Sequence, residues 1–189
     1  QQVGEASELA QVLFGLYRFY GARSQWHTAR EFGETLLRLA HRANDLILVV
    51  IAHYALGVTQ LSLGAFPPAR RHLEASLARY TPDQRCVPVY RMGVDPGVGC
   101  HSFNAMALWM LGYPTQALAH IHEALALAHA LSHPYSLGWA QCAAAFVAQF
   151  RRDVWAVHEQ AEAAVALSTT QGFPLFAAWG TSVRGWALA

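Results

Sequence analysis

Apolar side chains recur along most of the chain at the spacing of an α-helix. Between residues 114 and 131, Ala117, Ile121, Ala124 and Ala128 follow one another at intervals of three or four residues, which places them on one helix face. The sequence does not show the strict alternation of apolar and polar residues that predicts a half-buried strand. The pattern therefore predicts an all-α fold.

The helical segments repeat with a period of about 40 residues, which lies in the range typical of helical repeat arrays. Pro134 and Trp139 recur one period later as Pro174 and Trp179. The step from Ala69 in the second repeat to Ala117 in the third is longer, and the additional residues fall in a stretch rich in proline and glycine. Because such residues favour turns, the longer step predicts an extended connection over residues 81–95.

Each period predicts two helices that form an antiparallel hairpin. Asp45 and Asp95 are predicted to cap helix N-termini with their side-chain oxygens, and Gly64 and Gly112 to end helices. Gly57 lies inside a predicted helix, where the lack of a side chain indicates close approach of the paired helix. The predicted hairpins span about residues 5–42, 45–80, 95–131 and 134–171, and an unpaired helix spans 174–189. Together they predict a single domain, a right-handed superhelical array of hairpins.

Charge and composition narrow the class of partner. The formal net charge is +1 and 13% of the residues are charged, so the chain lacks the basic surface that binds nucleic acid. Its uninterrupted apolar runs are far shorter than the roughly 20 residues of a membrane span. The first residues do not resemble a signal peptide, and three cysteines are too few for a disulfide framework. These features predict a cytoplasmic protein.

Two sets of residues could support chemistry, and each also fits a structural role. His129 and His133 have the spacing of two metal ligands on one helix face, but no residue nearby completes a ligand set. A helix end, where the dipole favours an imidazole, accounts for them equally. Cys100, His101 and Cys142 could supply a thiol and a base, but no orienting group is identifiable, and cysteines suit an alanine-rich core. The sequence therefore predicts no catalytic residue, no metal and no cofactor.

Short motifs resemble the tetratricopeptide repeat. They are Leu56-Gly57, Gly64-Ala65-Phe66 with Ala69, and Leu111-Gly112-Tyr113 with Ala117. In that repeat, small residues let paired helices approach closely. His53 and His101 stand where the repeat has its tryptophan. The period also exceeds the roughly 34 residues of that repeat. A HEAT-like hairpin has a closer period but lacks the Leu-Gly and Ala spacing, so the tetratricopeptide-like fold is favoured.

A broader resemblance covers nearly the whole chain. The similar segments are residues 52–59, 95–98, 107–114, 171–175, 178–180 and 184–189. They resemble the C-terminal helical region of large bacterial signalling proteins, in which a nucleotide cyclase or protein kinase domain precedes an ATPase module and the repeats follow. The resemblance implies that the chain is a fragment of such a protein and that catalysis resides in other domains.

One face of the first helix in each hairpin is expected to line a concave groove. The predicted contact residues are Phe14, Arg18, Tyr54, Val58, Ser102, Met106, Trp109, Trp139, Phe146, Gln149 and Trp179. Aromatic residues, methionine and arginine are the types enriched at binding surfaces. The alternative is that the stripe is ordinary core, since aromatic residues at helical spacing are more often buried.

These observations predict a non-catalytic module that binds a protein or peptide and acts as a scaffold in a bacterial signal-transduction protein. The partner could be another domain of the same parent protein. The unpaired final helix offers an apolar surface through which the chain could form a homodimer. The alternative function is that of a sensor, whose groove binds a small apolar or sugar-like ligand. Neither nucleic acid nor a membrane is an expected partner.

Overall fold

The computed structural model describes residues 2–81 and 93–189, with side chains from residue 8 onward. Within these ranges the protein contains nine α-helices and no strand, which confirms the predicted all-α fold. The helices are α1 (Gln2–Ala22), α2 (Trp26–Ala43), α3 (Leu46–Ser62), α4 (Phe66–Leu77), α5 (Pro96–Met110), α6 (Pro114–Leu131), α7 (Pro134–Phe150), α8 (Val154–Gln171) and α9 (Pro174–Leu188).

Local sequence signals account for the helix ends. The Asp45 carboxylate accepts hydrogen bonds from the backbone N–H groups of Ile47 and Leu48, and the Asp95 carboxylate accepts one from Val98. Such caps satisfy N–H groups that have no partner inside the helix. Gly64 and Gly112 have φ angles of +76° and +84°, a left-handed conformation that favours glycine after a helix. The predicted caps and stops are therefore confirmed.

The chain divides into two compact units, Gln1–Met92 and Gly93–Ala189. In the first unit each helix packs against the next in order from α1 to α4. The hydroxyl of Ser76 on α4 donates a hydrogen bond of 2.9 Å to the carbonyl of Val50 on α3. Nearly all of α3 between Leu48 and Thr59 is buried, which makes this helix the centre of the unit.

In the second unit each helix from α5 to α9 packs against its successor, and α7 also packs against α5 and α9. Small side chains such as Ala105, Ala117 and Ala143 fill the contacts between α5, α6 and α7. The backbone N–H of Asp95, at the start of α5, donates to the hydroxyl of Ser136 on α7. This bond links the starts of α5 and α7.

The observed helices follow the predicted hairpins closely. The second helix of the second hairpin ends at Leu77, slightly before the predicted limit near Tyr80. Most of the predicted connection over residues 81–95 lies outside the described residues. The superhelical arrangement, its period and the single domain stay predictions. Among the helices that the structure describes, none is both long and apolar enough to cross a membrane.

Candidate binding groove

The second unit contains an aromatic cavity between α5, α7 and α9, here called the aromatic groove. Its volume is about 320 Å³, it opens to solvent, and no polar surface lines it. The lining residues are Phe103, Met106, Trp139, Cys142, Ala143, Phe146, Phe150 and Trp179. The volume lies at the lower end of the range of small-molecule sites and also suits one or two apolar side chains of a partner.

Aromatic contacts between helices hold the walls of the groove in place. The ring centroid of Trp139 on α7 lies 5.1 Å from that of Phe103 on α5 and 5.6 Å from that of Trp179 on α9. Phe146 lies 6.2 Å from Trp179. Phe176 is fully buried behind this wall and contacts both tryptophans. Because the rings support one another across three helices, the groove is already formed without a partner.

The groove carries no charge at neutral pH. Burial raises the pKa of the Cys142 thiol to about 12, so the thiol stays protonated and is a poor nucleophile. The indole N–H of Trp139 is buried and has no hydrogen-bond partner among the described residues. The groove therefore offers apolar contact and shape rather than charge.

The first unit has a second cavity of different character, formed by α1, α2 and α3. Its volume is about 480 Å³, and it also opens to solvent. The lining residues are Ala10, Gln11, Phe14, Gly15, Arg18, Leu36, Leu48 and Ile51. Gln11 and Arg18 give this cavity polar groups that the aromatic groove lacks.

The predicted contact residues fall into four groups. Met106, Trp139, Phe146 and Trp179 line the aromatic groove, and Phe14 and Arg18 line the cavity of the first unit. Three others, Tyr54, Val58 and Ser102, are buried and line neither cavity. The remaining two are half-buried near the C-terminal ends of their helices: Trp109, which stacks on Phe150, and Gln149. The binding role of all the predicted contact residues stays a prediction.

Sequence reasoning missed three phenylalanines of this region. Phe103 lines the groove although it lies off the face that the helical count selected, whereas Phe150 lines the groove from the selected face and was left out. Phe176 supports the groove from behind without lining it. The position of Phe150 could have been inferred from helical spacing, since Phe150 follows Phe146 by four residues and so lies on the same face of α7.

The residues considered for chemistry occupy structural positions. His133 caps α7 by accepting a hydrogen bond from the N–H of Ser136, and His129 lies in the last turn of α6. Cys100 and Cys142 are buried, and the Nδ1 atom of His101 lies 2.9 Å from Nδ1 of His120. Within the described ranges, no three histidine, cysteine or acidic side chains cluster in a way that could hold a metal ion.

No protein-family model matches the chain, and no curated protein sequence is significantly similar to it.

Proposed function

We propose that the chain is a protein-interaction and scaffolding module that binds an apolar helical segment of a partner in the aromatic groove. The observation that supports this proposal most strongly is the preformed, open and wholly apolar lining between α5, α7 and α9. Tryptophan, phenylalanine and methionine are enriched at protein interfaces, and tryptophan is among the residues that dominate their binding energy.

The chemistry of the groove favours an amphipathic helix over a sugar-like ligand. A pocket for a polar small molecule normally has a few converging polar groups, and the aromatic groove exposes none. An amphipathic helix needs only apolar contacts at positions i, i+3 or i+4, and i+7, and its polar face remains in water. The groove lining provides such apolar contacts and exposes no polar group.

The resemblance to bacterial signalling proteins supports a more specific proposal. In that setting the module would belong to a larger signal-transduction protein, and its partner would be another domain of the same chain or a separate regulator. Catalysis would reside in the nucleotide cyclase, kinase or ATPase domains that precede such repeats. Under this proposal the described helices provide recognition and no chemistry of their own.

The cavity of the first unit supports the alternative function, that of a ligand sensor. Its volume of about 480 Å³ lies well within the range of small-molecule sites. Arg18 and Gln11 lie beside apolar side chains such as Phe14 and Ile51, so the lining could bind a molecule that has both a polar end and an apolar body. A sensor of this kind would bind its ligand in the first unit rather than in the aromatic groove.

A selection of helical peptides against the intact chain distinguishes the two functions. We expect the selected peptides to be amphipathic and to compete with one another for the aromatic groove. Their affinity should change less than about threefold when the salt concentration is raised about tenfold, because apolar contacts are not screened. The affinity is measured by titration of tryptophan fluorescence, since Trp139 and Trp179 line the groove.

Two results would contradict the proposal. One is a set of peptides whose affinity falls more than about tenfold over the same salt range, which would indicate an ionic surface. The other is failure to obtain any peptide while small amphiphilic anions bind and an Arg18→Gln substitution abolishes that binding. The second result would support the sensor function instead.

A further inference from the structure

Two hairpins contain a pair of histidines whose rings face each other across the hairpin. In the first unit, Nδ1 of His53 on α3 lies 3.0 Å from Nδ1 of His72 on α4. In the second unit, Nδ1 of His101 on α5 lies 2.9 Å from Nδ1 of His120 on α6. The angles between the ring planes are 41° and 42°. The two units thus contain the same local arrangement.

The two pairs occupy the same position in the repeat. His72 and His120 each lie seven residues after the N-cap of their helix, and His53 and His101 each lie ten residues before the C-cap of theirs. The equivalent residues of the α7–α8 hairpin are Gln141 and Gln160, which are polar but do not titrate. Two hairpins therefore contain a titratable histidine pair, and the α7–α8 hairpin has glutamines in the same two positions.

An imidazole pair at this distance has a defined proton requirement. One Nδ1 must carry a hydrogen and donate it, and the other must accept. The Asn104 amide nitrogen lies 3.3 Å from Nε2 of His120 and, in this orientation, donates to it. His120 then carries its proton on Nδ1 and donates to His101. When both rings are protonated, two N–H groups and two positive charges face each other, and the hydrogen bond is lost.

The surroundings of both pairs oppose protonation. Burial, assisted by the partner histidine, lowers the pKa of His53 and of His101 to about 4, and burial lowers the pKa of His72. The ionisable groups that influence the first pair are Arg71 on α4, Arg79 just after that helix, and Glu34 and His41 on α2. Glu123 on α6 opposes the shift at His101. Among the described residues, α1 and α7 add no group that acts on these pKa values.

We propose that the two histidine pairs are acid-sensitive latches of the α3–α4 and α5–α6 hairpins. Each pair keeps its hairpin closed at neutral pH and releases it when both rings become protonated. The α7–α8 hairpin, with glutamines in the equivalent positions, has no such latch. Acidification therefore loosens part of the chain selectively.

The sign of the pH dependence follows from linkage. An unfolded histidine titrates near 6.5, whereas His53 and His101 titrate near 4 in the folded chain. The unfolded state therefore binds more protons between these values, and the latches contribute stability that is complete above pH 6.5 and lost as the pH falls towards 4.

Amide hydrogen exchange at pH 7 and pH 5, corrected for the intrinsic exchange rate and carried out with a metal chelator present, tests this proposal. We expect protection in α6 to fall by about tenfold or more at pH 5, since one pKa unit corresponds to a tenfold change. Protection in α8 should fall less than about threefold. In the double variant His101→Gln with His120→Gln, which imitates the α7–α8 hairpin, the fall in α6 should also be less than about threefold.

His129→Gln is the matched control, because His129 is exposed in the last turn of α6 and belongs to neither pair. This variant should lose protection at pH 5 as the wild type does. If the double variant does not fold, the comparison of α6 with α8 in the wild type decides the question. Equal loss in the two helices, no loss in either, or an unchanged loss in a folded double variant would overturn the proposal.

Discussion

Replacing Gly57 with leucine is expected to lower the free energy of unfolding of the first unit by about 3 kcal/mol or more, since overpacking a dense contact costs about 1–3 kcal/mol and occasionally more. Gly57 lies in the middle of α3 and faces α4. A methyl group at this position would lie 2.6 Å from Cγ of Leu73 and 3.3 Å from its backbone nitrogen. Neither atom is the end of a flexible side chain, so the two helices would have to separate.

Gly15→Ala is the control for this substitution. Gly15 lies inside α1, and a methyl group there would have no neighbour within 4 Å. We expect it to raise the free energy of unfolding by about 0.5–1 kcal/mol, because alanine is the better helix former. Urea unfolding of both variants measures the difference. A Gly57→Leu variant that unfolds at the wild-type urea concentration would show that α3 and α4 are not in close contact at this point.

Replacing Phe176 with alanine is expected to lower the free energy of unfolding of the second unit by about 3–5 kcal/mol, the usual cost of removing a buried phenylalanine. Phe176 is fully buried, and its ring centroid lies 4.7 Å from that of Tyr135 and 6.0 Å from that of Trp179. It also packs directly on Gly138, where an added methyl group would lie 2.9 Å from its ring. A cavity left at this position would remove the support of the groove.

The same variant should lose the fixed positions of the groove tryptophans. We expect the near-ultraviolet circular dichroism of the folded variant to weaken, because Trp139 and Trp179 both rest on Phe176. Trp155→Ala is the control, since 81% of this side chain is exposed and its loss should change stability by less than about 0.5 kcal/mol. Equal stability of the two variants would contradict the packing described for α7 and α9.

The helix boundaries could be predicted from the sequence because they depend on local chemistry. Asp45 and Asp95 satisfy backbone N–H groups within three residues, and Gly64 and Gly112 adopt a conformation that most residues avoid. Neither effect requires knowledge of the tertiary structure. The close approach at Gly57 could also be predicted, since a glycine inside a long apolar helix costs stability unless a packed neighbour needs the space.

The candidate groove could be predicted only in part. The recurrence of Trp139 one repeat later as Trp179 correctly identified two helices that contact each other. Tyr54 and Ser102 were selected by the same counting, but both lie in helices that are buried on more than one side. Apolar periodicity marks one face of a half-exposed helix and cannot distinguish the faces of a helix that is buried almost all round.

The histidine pairs could not be predicted from the sequence for a different reason. Equal spacing of the two histidines in each hairpin is visible in the chain, but facing rings require the turn geometry and the register of the paired helices. From the sequence, histidines were interpreted as metal ligands on one helix, as a base beside a cysteine, or as replacements for the tryptophan of the repeat, and not as partners across a hairpin. The contact between helices was therefore missed, although the repeat contains it twice.

The most direct test of the proposed function compares the affinity of one selected amphipathic peptide for the wild type, Phe150→Lys and Met110→Lys. Phe150 lines the groove, whereas Met110 does not, and they are the last residues of α7 and α5 and are 39% and 46% exposed. A lysine suits the C-terminal end of either helix, so both variants should fold. The proposal predicts that Phe150→Lys raises the dissociation constant at least about tenfold, the effect of losing an apolar anchor, and that Met110→Lys changes it less than about twofold. Equal affinity of the two variants, whether both retain or both lose binding, would contradict recognition through the aromatic groove.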